Sequence, residues 1–134
     1  MRSLIGSGLL LLMAICTLPA AEKQWAGAYV GDWTSTIGGA KGDFRLALQQ
    51  APDGNWHCEV TFTIGDREVK TTLKSLRLTD SKIEVAYEYD LREFRLRSEV
   101  AGELAGNKLE GRYQAKTVPD GSPIDEGTFR SARK

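Results

Sequence analysis

The sequence predicts an all-β fold, an eight-stranded antiparallel up-and-down (meander) barrel behind an N-terminal leader, and three observations carry that expectation. From Trp25 onward no stretch sets apolar residues at helical spacing. Alternation with period two recurs instead, most clearly where Trp56, Cys58, Val60, Phe62 and Ile64 share one face and His57, Glu59, Thr61 and Thr63 the other. Turn signals separate these alternating runs throughout, so consecutive strands are joined by hairpins. Closing such a meander removes both exposed edges and leaves an interior just wide enough for side chains or one small ligand. An open sandwich of the same strands is the structural rival.

The chain of 134 residues divides into a leader at 1–21 and a single β-barrel domain at 22–134. Met1-Arg2-Ser3 is a short basic start, Leu4 to Ile15 is apolar apart from Ser7, and Pro19-Ala20-Ala21 supplies small residues before the polar Glu22-Lys23-Gln24. The apolar run is shorter than the roughly 20 residues of a membrane span, so a secretory signal cleaved after Ala20 or Ala21 is expected, with a secreted or periplasmic destination. Retention as an uncleaved anchor is one alternative. Lipidation at Cys16 is another, but the preceding Ile15 is large where that pattern needs a small residue. Losing Arg2 from the 18 basic residues leaves 17 against 18 acidic ones. A net charge near −1 gives no electrostatic case for nucleic acid or an anionic membrane. Cys58 is then the lone cysteine, with no internal disulfide partner, and its apolar neighbours predict a buried, inert thiol.

Taken in order, Tyr29 to Ile37 forms the first strand, headed by Gly31-Asp32-Trp33. Phe44, Leu46 and Leu48 alternate along the second, and Ala51-Pro52-Asp53-Gly54-Asn55 turns the chain into Trp56 to Ile64. Gly65-Asp66 makes a two-residue hairpin loop. Val69, Thr71 and Leu73 face inward, yet Leu76 and Leu78 have the opposite parity, which predicts a β-bulge near Lys74-Ser75. After Asp80-Ser81, Ile83, Val85, Tyr87 and Tyr89 return to the inner face. A loop over Asp90-Leu91-Arg92-Glu93 sets Tyr89 opposite Phe94 and Glu88 opposite Arg95, with Leu96, Ser98 and Val100 following inward. Gly106-Asn107 sets Leu104 opposite Leu109, Gly102 opposite Gly111 and Val100 opposite Tyr113. Val118 to Pro123 is the last long loop, before a strand through Gly127, Phe129 and Arg130.

These residues resemble the calycin group, the lipocalin and avidin-like barrels, whose first strand carries a Gly-x-Trp motif matched by Gly31-Asp32-Trp33. The ending Gly127-Thr128-Phe129-Arg130-Ser131-Ala132-Arg133 is similar to the tail of small secreted bacterial barrels. The resemblance implies barrel closure through Gly31, Trp33 and a basic residue, Arg130 or Arg133, set against the tryptophan as a cation–π contact. The chain departs from lipocalins and fatty-acid-binding proteins in having no room for their helices. It also lacks clear counterparts of the polar residues and later tryptophans that surround biotin in avidins.

Catalysis has little to start from. His57 is the sole histidine and its parity turns it outward, so no zinc-type site can be assembled, no cofactor is expected and an enzyme is not the favoured reading. Glu84, Glu88 and Asp90 read as a solvated outer stripe, and Gly38-Gly39-Ala40-Lys41-Gly42 as a hairpin loop without the following helix that a phosphate site needs. The remaining candidate is geometric. The loops at Ile37 to Gly42, Gly65-Asp66, Asp90 to Glu93 and Val118 to Pro123 gather at one end, while Trp25 is near enough to plug the other. Inward residues nearest that mouth are Phe44, Phe62, Val69, Tyr87, Tyr89, Phe94 and Thr117, an aromatic lining for a small apolar or aromatic ligand. The alternative is a filled barrel serving as a structural or protein-interaction module, an inhibitor or envelope component. Mass spectrometry of the exported chain checks the leader: a mature N-terminus at Ala21 or Glu22 is expected, and an intact Met1 in the exported protein contradicts it.

Overall fold

The computed structural model describes residues 24–134, so the proposed leader, its cleavage site and Cys16 lie outside the described residues. Nine strands run in chain order: β1 (Gly27–Ser35), β2 (Lys41–Gln50), β3 (Trp56–Ile64), β4 (Arg67–Lys70), β5 (Thr72–Thr79), β6 (Lys82–Leu91), β7 (Phe94–Ala105), β8 (Lys108–Thr117) and β9 (Pro123–Arg133). They form one antiparallel sheet in the order β4-β3-β2-β1-β9-β8-β7-β6-β5, curled into a half-barrel. The expected all-β antiparallel meander is therefore present, with nine strands in place of eight. The extra strand arises because the run from Arg67 to Thr79 is interrupted at Thr71: β4 pairs with β3, and β5 pairs with β6. The two segments at the extremes of the sheet order are thus neighbours in the chain, and the Thr71 hydroxyl donates to the carbonyl oxygen of Val60 on β3 at 2.6 Å.

Period-two alternation fixes which face is core. Tyr29, Trp33, Phe44, Leu46, Leu48, Val60 and Phe62 are buried on one side of the sheet, as are Val85, Tyr87, Tyr89, Leu96, Val100, Leu109 and Phe129. Rings from strands that do not pair with each other meet over this face. Phe62 on β3 stands edge-on to Tyr89 on β6 at 5.0 Å between centroids, and Phe44 on β2 lies 4.9 Å from Phe129 on β9. Pairs of this kind add about 0.5–1.5 kcal/mol each beyond burial of their area.

First and last strands pair, with Trp33 opposite Phe129 and Gly31 opposite Ser131. A side chain at Gly31 has no room, because its Cβ would run into the backbone carbonyl oxygen of Arg130 and lie 2.6 Å from the Cα of Ser131. The missing Cβ lets β9 approach β1 closely at this point. The β5–β6 register shifts between Leu73 and Ser75, so the bulge lies where the parity change required it. The registers Leu104–Leu109, Gly102–Gly111 and Val100–Tyr113 are also as read from the Gly106-Asn107 turn.

Several expectations are corrected. The β6–β7 loop contracts to Arg92-Glu93, because Leu91 keeps the inner parity and Arg92 takes a left-handed φ of 57°. The register slides by two, setting Tyr89 opposite Leu96, Glu88 opposite Arg97 and Asp90 opposite Arg95. A two-residue slide preserves faces, so Arg95 still reaches Glu88 diagonally (Nε to Oε1, 3.3 Å) while bonding Asp90 at 2.9 Å. Phe94 consequently sits at the rim beside the turn and is 56% exposed, and Leu73, beside the bulge, is 37% exposed. Arg130 is not the basic residue set against a core ring. Alternation from buried Phe129 turns it outward, where it pairs with Asp32 on the surface (3.4 Å).

Arg133, four positions on from Phe129, shares the inner parity and caps the end opposite the mouth. Its guanidinium lies 5.3 Å from the centroid of the Tyr29 ring, and its Nη1 and Nη2 donate to the carbonyl oxygens of Ala26 (3.0 Å) and Gly106 (3.3 Å). Trp25 is buried at the same end, its indole N–H donating to the carbonyl oxygen of Asp80, and the Tyr29 hydroxyl donates to the carbonyl oxygen of Trp25. Urea denaturation is expected to separate these roles. Arg133→Ala should cost about 2 kcal/mol through lost charge-assisted bonds and Gly31→Val about 3 kcal/mol through overpacking, whereas Arg130→Ala should cost below about 1 kcal/mol. Equal losses for the two arginine variants would contradict the assignment.

Candidate functional site

At the loop-rich end the core does not fill completely. A cavity of about 200 Å³ lies among side chains of β1, β2, β3, β6, β7, β8 and β9, walled by Trp33, Phe44, Phe62, Tyr87, Tyr89, Tyr113 and Phe129, with Leu91, Ile64, Ala40 and Ile124 toward the rim. Alternation puts each ring there, and the meander brings the tops of these strands together. Trp33 anchors one wall: its indole N–H donates to the carbonyl oxygen of Thr63 at 2.9 Å, and its ring stands edge-on to Phe62 (6.3 Å) and Tyr113 (5.9 Å). Room for that indole comes from Gly42, whose Cβ would lie 2.7 Å from the Trp33 Nε1. Tyr87 and Tyr89 form the facing wall, 6.0 Å apart between centroids, and the Tyr89 hydroxyl shares a 3.0 Å hydrogen bond with Ser98.

One carboxylate belongs to the lining. Asp125 accepts the Ser35 hydroxyl at Oδ1 (2.6 Å) and the Tyr113 hydroxyl at Oδ2 (2.9 Å). The Ser35 oxygen in turn accepts the backbone N–H groups of Ile37 and Gly38, which ties the β1–β2 loop to the site. These neighbours also set the protonation of the phenols. Burial pushes Tyr113 far above the ordinary tyrosine value, and its bond to Asp125 and that carboxylate's charge push it further. Burial likewise raises Tyr89 and Tyr87; for Tyr89 the Ser98 bond opposes the shift and the Asp125 charge adds to it. All three stay protonated near neutral pH and remain available as donors and acceptors.

Of the seven residues named from sequence, Phe44, Phe62, Tyr87 and Tyr89 line the cavity together. Val69 is buried in the core, Thr117 is half-buried at the end of β8, and Phe94 is exposed at the rim; none of the three reaches the lining. Trp33, assigned only to barrel closure, is a wall of the site. Ser98, Tyr113, Asp125 and Phe129 complete it. For Ser98 and Tyr113 a signal existed, since polar side chains on the inner parity need a reason to be there. Asp125 had one as well: the β8–β9 ladder is regular from Phe129 back to Asp125, so period two turns it to the inner face, but the last strand was expected only from Gly127 onward and Asp125 lay ahead of it.

A larger depression of about 790 Å³ lies on the outer face and is lined by Glu84, Arg97, Glu99, Arg112 and Glu126 among others. Its charges are of both signs, and Glu99 pairs with Arg97 at 3.6 Å and with the neighbouring Lys116 at 2.8 Å. This open furrow mixes polar and apolar lining in similar measure, and the smaller, predominantly apolar inner cavity is the better binding geometry. Of the outer carboxylates, Asp90 is solvated as expected, whereas the Glu88 side chain is only 13% exposed and is held among Lys74, Arg95 and Arg97.

Cys58 faces inward and is held up to about 12 by burial, with the negative charge of Glu59 adding to the shift. Cys58 and the tyrosines share one sign: folding favours their protonated forms. Their contribution is therefore intact below the ordinary values of 9.0 for the thiol and 10.0 for the phenols, and is lost as pH climbs above these toward the raised folded-state values. The urea midpoint is expected to fall steadily once pH exceeds about 9, with native Cys58 alkylating slowly until unfolding begins. A midpoint that is flat through this range would contradict the burial of these groups.

No family model matches the chain, and no curated protein matches it significantly.

Proposed function

We propose that this protein is a secreted or periplasmic, calycin-like barrel that binds a small apolar or aromatic molecule in its mouth cavity. The observation that carries this reading is the cavity itself, about 200 Å³ walled by aromatic rings with a few convergent hydroxyls at the loop-rich end. In this reading β4 and β5 are two halves of one strand bent at Thr71, the sheet closes through that strand, and the count returns to eight. The single-residue gap and the Thr71 to Val60 bond support it. The Gly31-Asp32-Trp33 motif on the strand that meets the last strand supports the calycin comparison, with Arg133 and Tyr29 taking the place of the basic residue and tryptophan.

A protein-interaction module is the second reading. It is favoured by the exposure of Ile37 (66%), Phe94 (56%) and Ile124 (48%), which belong to loops or strand ends at the mouth. Titration of the labelled protein with indole and p-cresol, read by NMR, separates the two. Saturable shifts confined to cavity residues such as Ala115 and Ser98 are expected, weakened at least about fivefold by filling the space with Ala115→Leu. No saturable shift at millimolar probe, in a protein whose Phe94→Ser variant loses a native partner, would favour the module.

A further inference from the structure

We infer that the cavity selects positively charged aromatic ligands, small aryl-alkyl amines, through the carboxylate of Asp125. This inference rests on the ligand-binding reading above and adds the charge of the ligand. Asp125 is the only charged residue among the described residues that line the cavity; every other lining side chain is aromatic, aliphatic or hydroxylic. It is half-buried, and its two hydrogen-bond donors are neutral hydroxyls, those of Ser35 and Tyr113. No ion pair to it is formed among the described residues, in contrast to Asp90, Glu88 and Glu99, each of which meets a cation. A carboxylate in apolar surroundings is costly without a compensating charge, and its two hydroxyl donors leave lone pairs to spare.

The surrounding rings act in the same direction. The faces of Trp33, Tyr89 and Tyr113 carry negative quadrupole potential, which attracts an ammonium group and repels a carboxylate. The Tyr113 hydroxyl is committed to Asp125 and offers a ligand its oxygen as acceptor. The site therefore presents acceptors and negative potential around one anionic group, with apolar walls deeper in the core at Phe44, Val100 and Phe129. An amine at the mouth with its ring pointing inward satisfies both parts at once.

The test uses three probes of one shape and different charge, benzylamine, benzyl alcohol and benzoate, titrated into the folded protein at pH 7 and read by NMR. Benzylamine is expected to bind about tenfold tighter than benzyl alcohol, with benzoate weakest. In Asp125→Asn the tenfold preference for the amine over the alcohol should vanish, the dispersion of the variant's NMR spectrum showing that it is folded. Equal binding of benzylamine and benzyl alcohol to the native protein overturns the charge preference and leaves the apolar-ligand reading standing. If none of the three shifts a cavity resonance, both readings fall together.

Discussion

Everything in this fold depends on the antiparallel meeting of its first described strand with its last. With β1 pairing β2 on one side and β9 on the other, the large side chains of both halves of the sheet are forced onto one inner face. Rings such as Phe62 and Tyr89 then touch although 27 residues of chain, and much of the sheet order, separate them. Close approach at Gly31 permits that meeting, and alternation makes it worthwhile, because a single-residue slip on either strand would turn Trp33 or Phe129 into water.

The two ends of the molecule solve different problems with the same kinds of side chain. At one, Trp25, Tyr29 and Arg133 saturate one another and the nearby carbonyl groups, which leaves a packed plug. At the other, Trp33, Tyr89 and Tyr113 have their polar atoms tied to Thr63, Ser98 and Asp125, but their ring faces border open space. Aromatic residues with satisfied polar tips and uncovered faces are what a binding wall requires, since orientation is fixed before a ligand arrives.

How much of this was legible in the sequence follows from what period two can and cannot carry. Alternation located the inner face of nearly every strand, and parity alone exposed the bulge beside Ser75, because a strand cannot bury both Leu73-side and Leu76-side residues without one extra residue. It also contained the answer on the arginines: counting from Phe129 puts Arg133 inward and Arg130 outward, a step that the analogy with a Gly-x-Trp barrel obscured. Loop length was not legible, since Arg92 accepts a backbone conformation that its side chain does not advertise, and the register of Tyr89 moved by two in consequence. Asp125 was missed for a different reason. Counting back from Phe129 through Gly127 turns it inward, but the strand was expected to begin only at Gly127, so the carboxylate was left outside the alternating run.

Because β1 begins and β9 ends at the plugged end, with Tyr29 opposite Arg133 and the backbone N–H of Lys134 donating to the carbonyl oxygen of Ala28, both ends of the described chain leave from the side away from the cavity. A tether, fusion partner or surface attached at either point would hold the molecule like a cup by its base, with the aromatic opening turned outward and unobstructed.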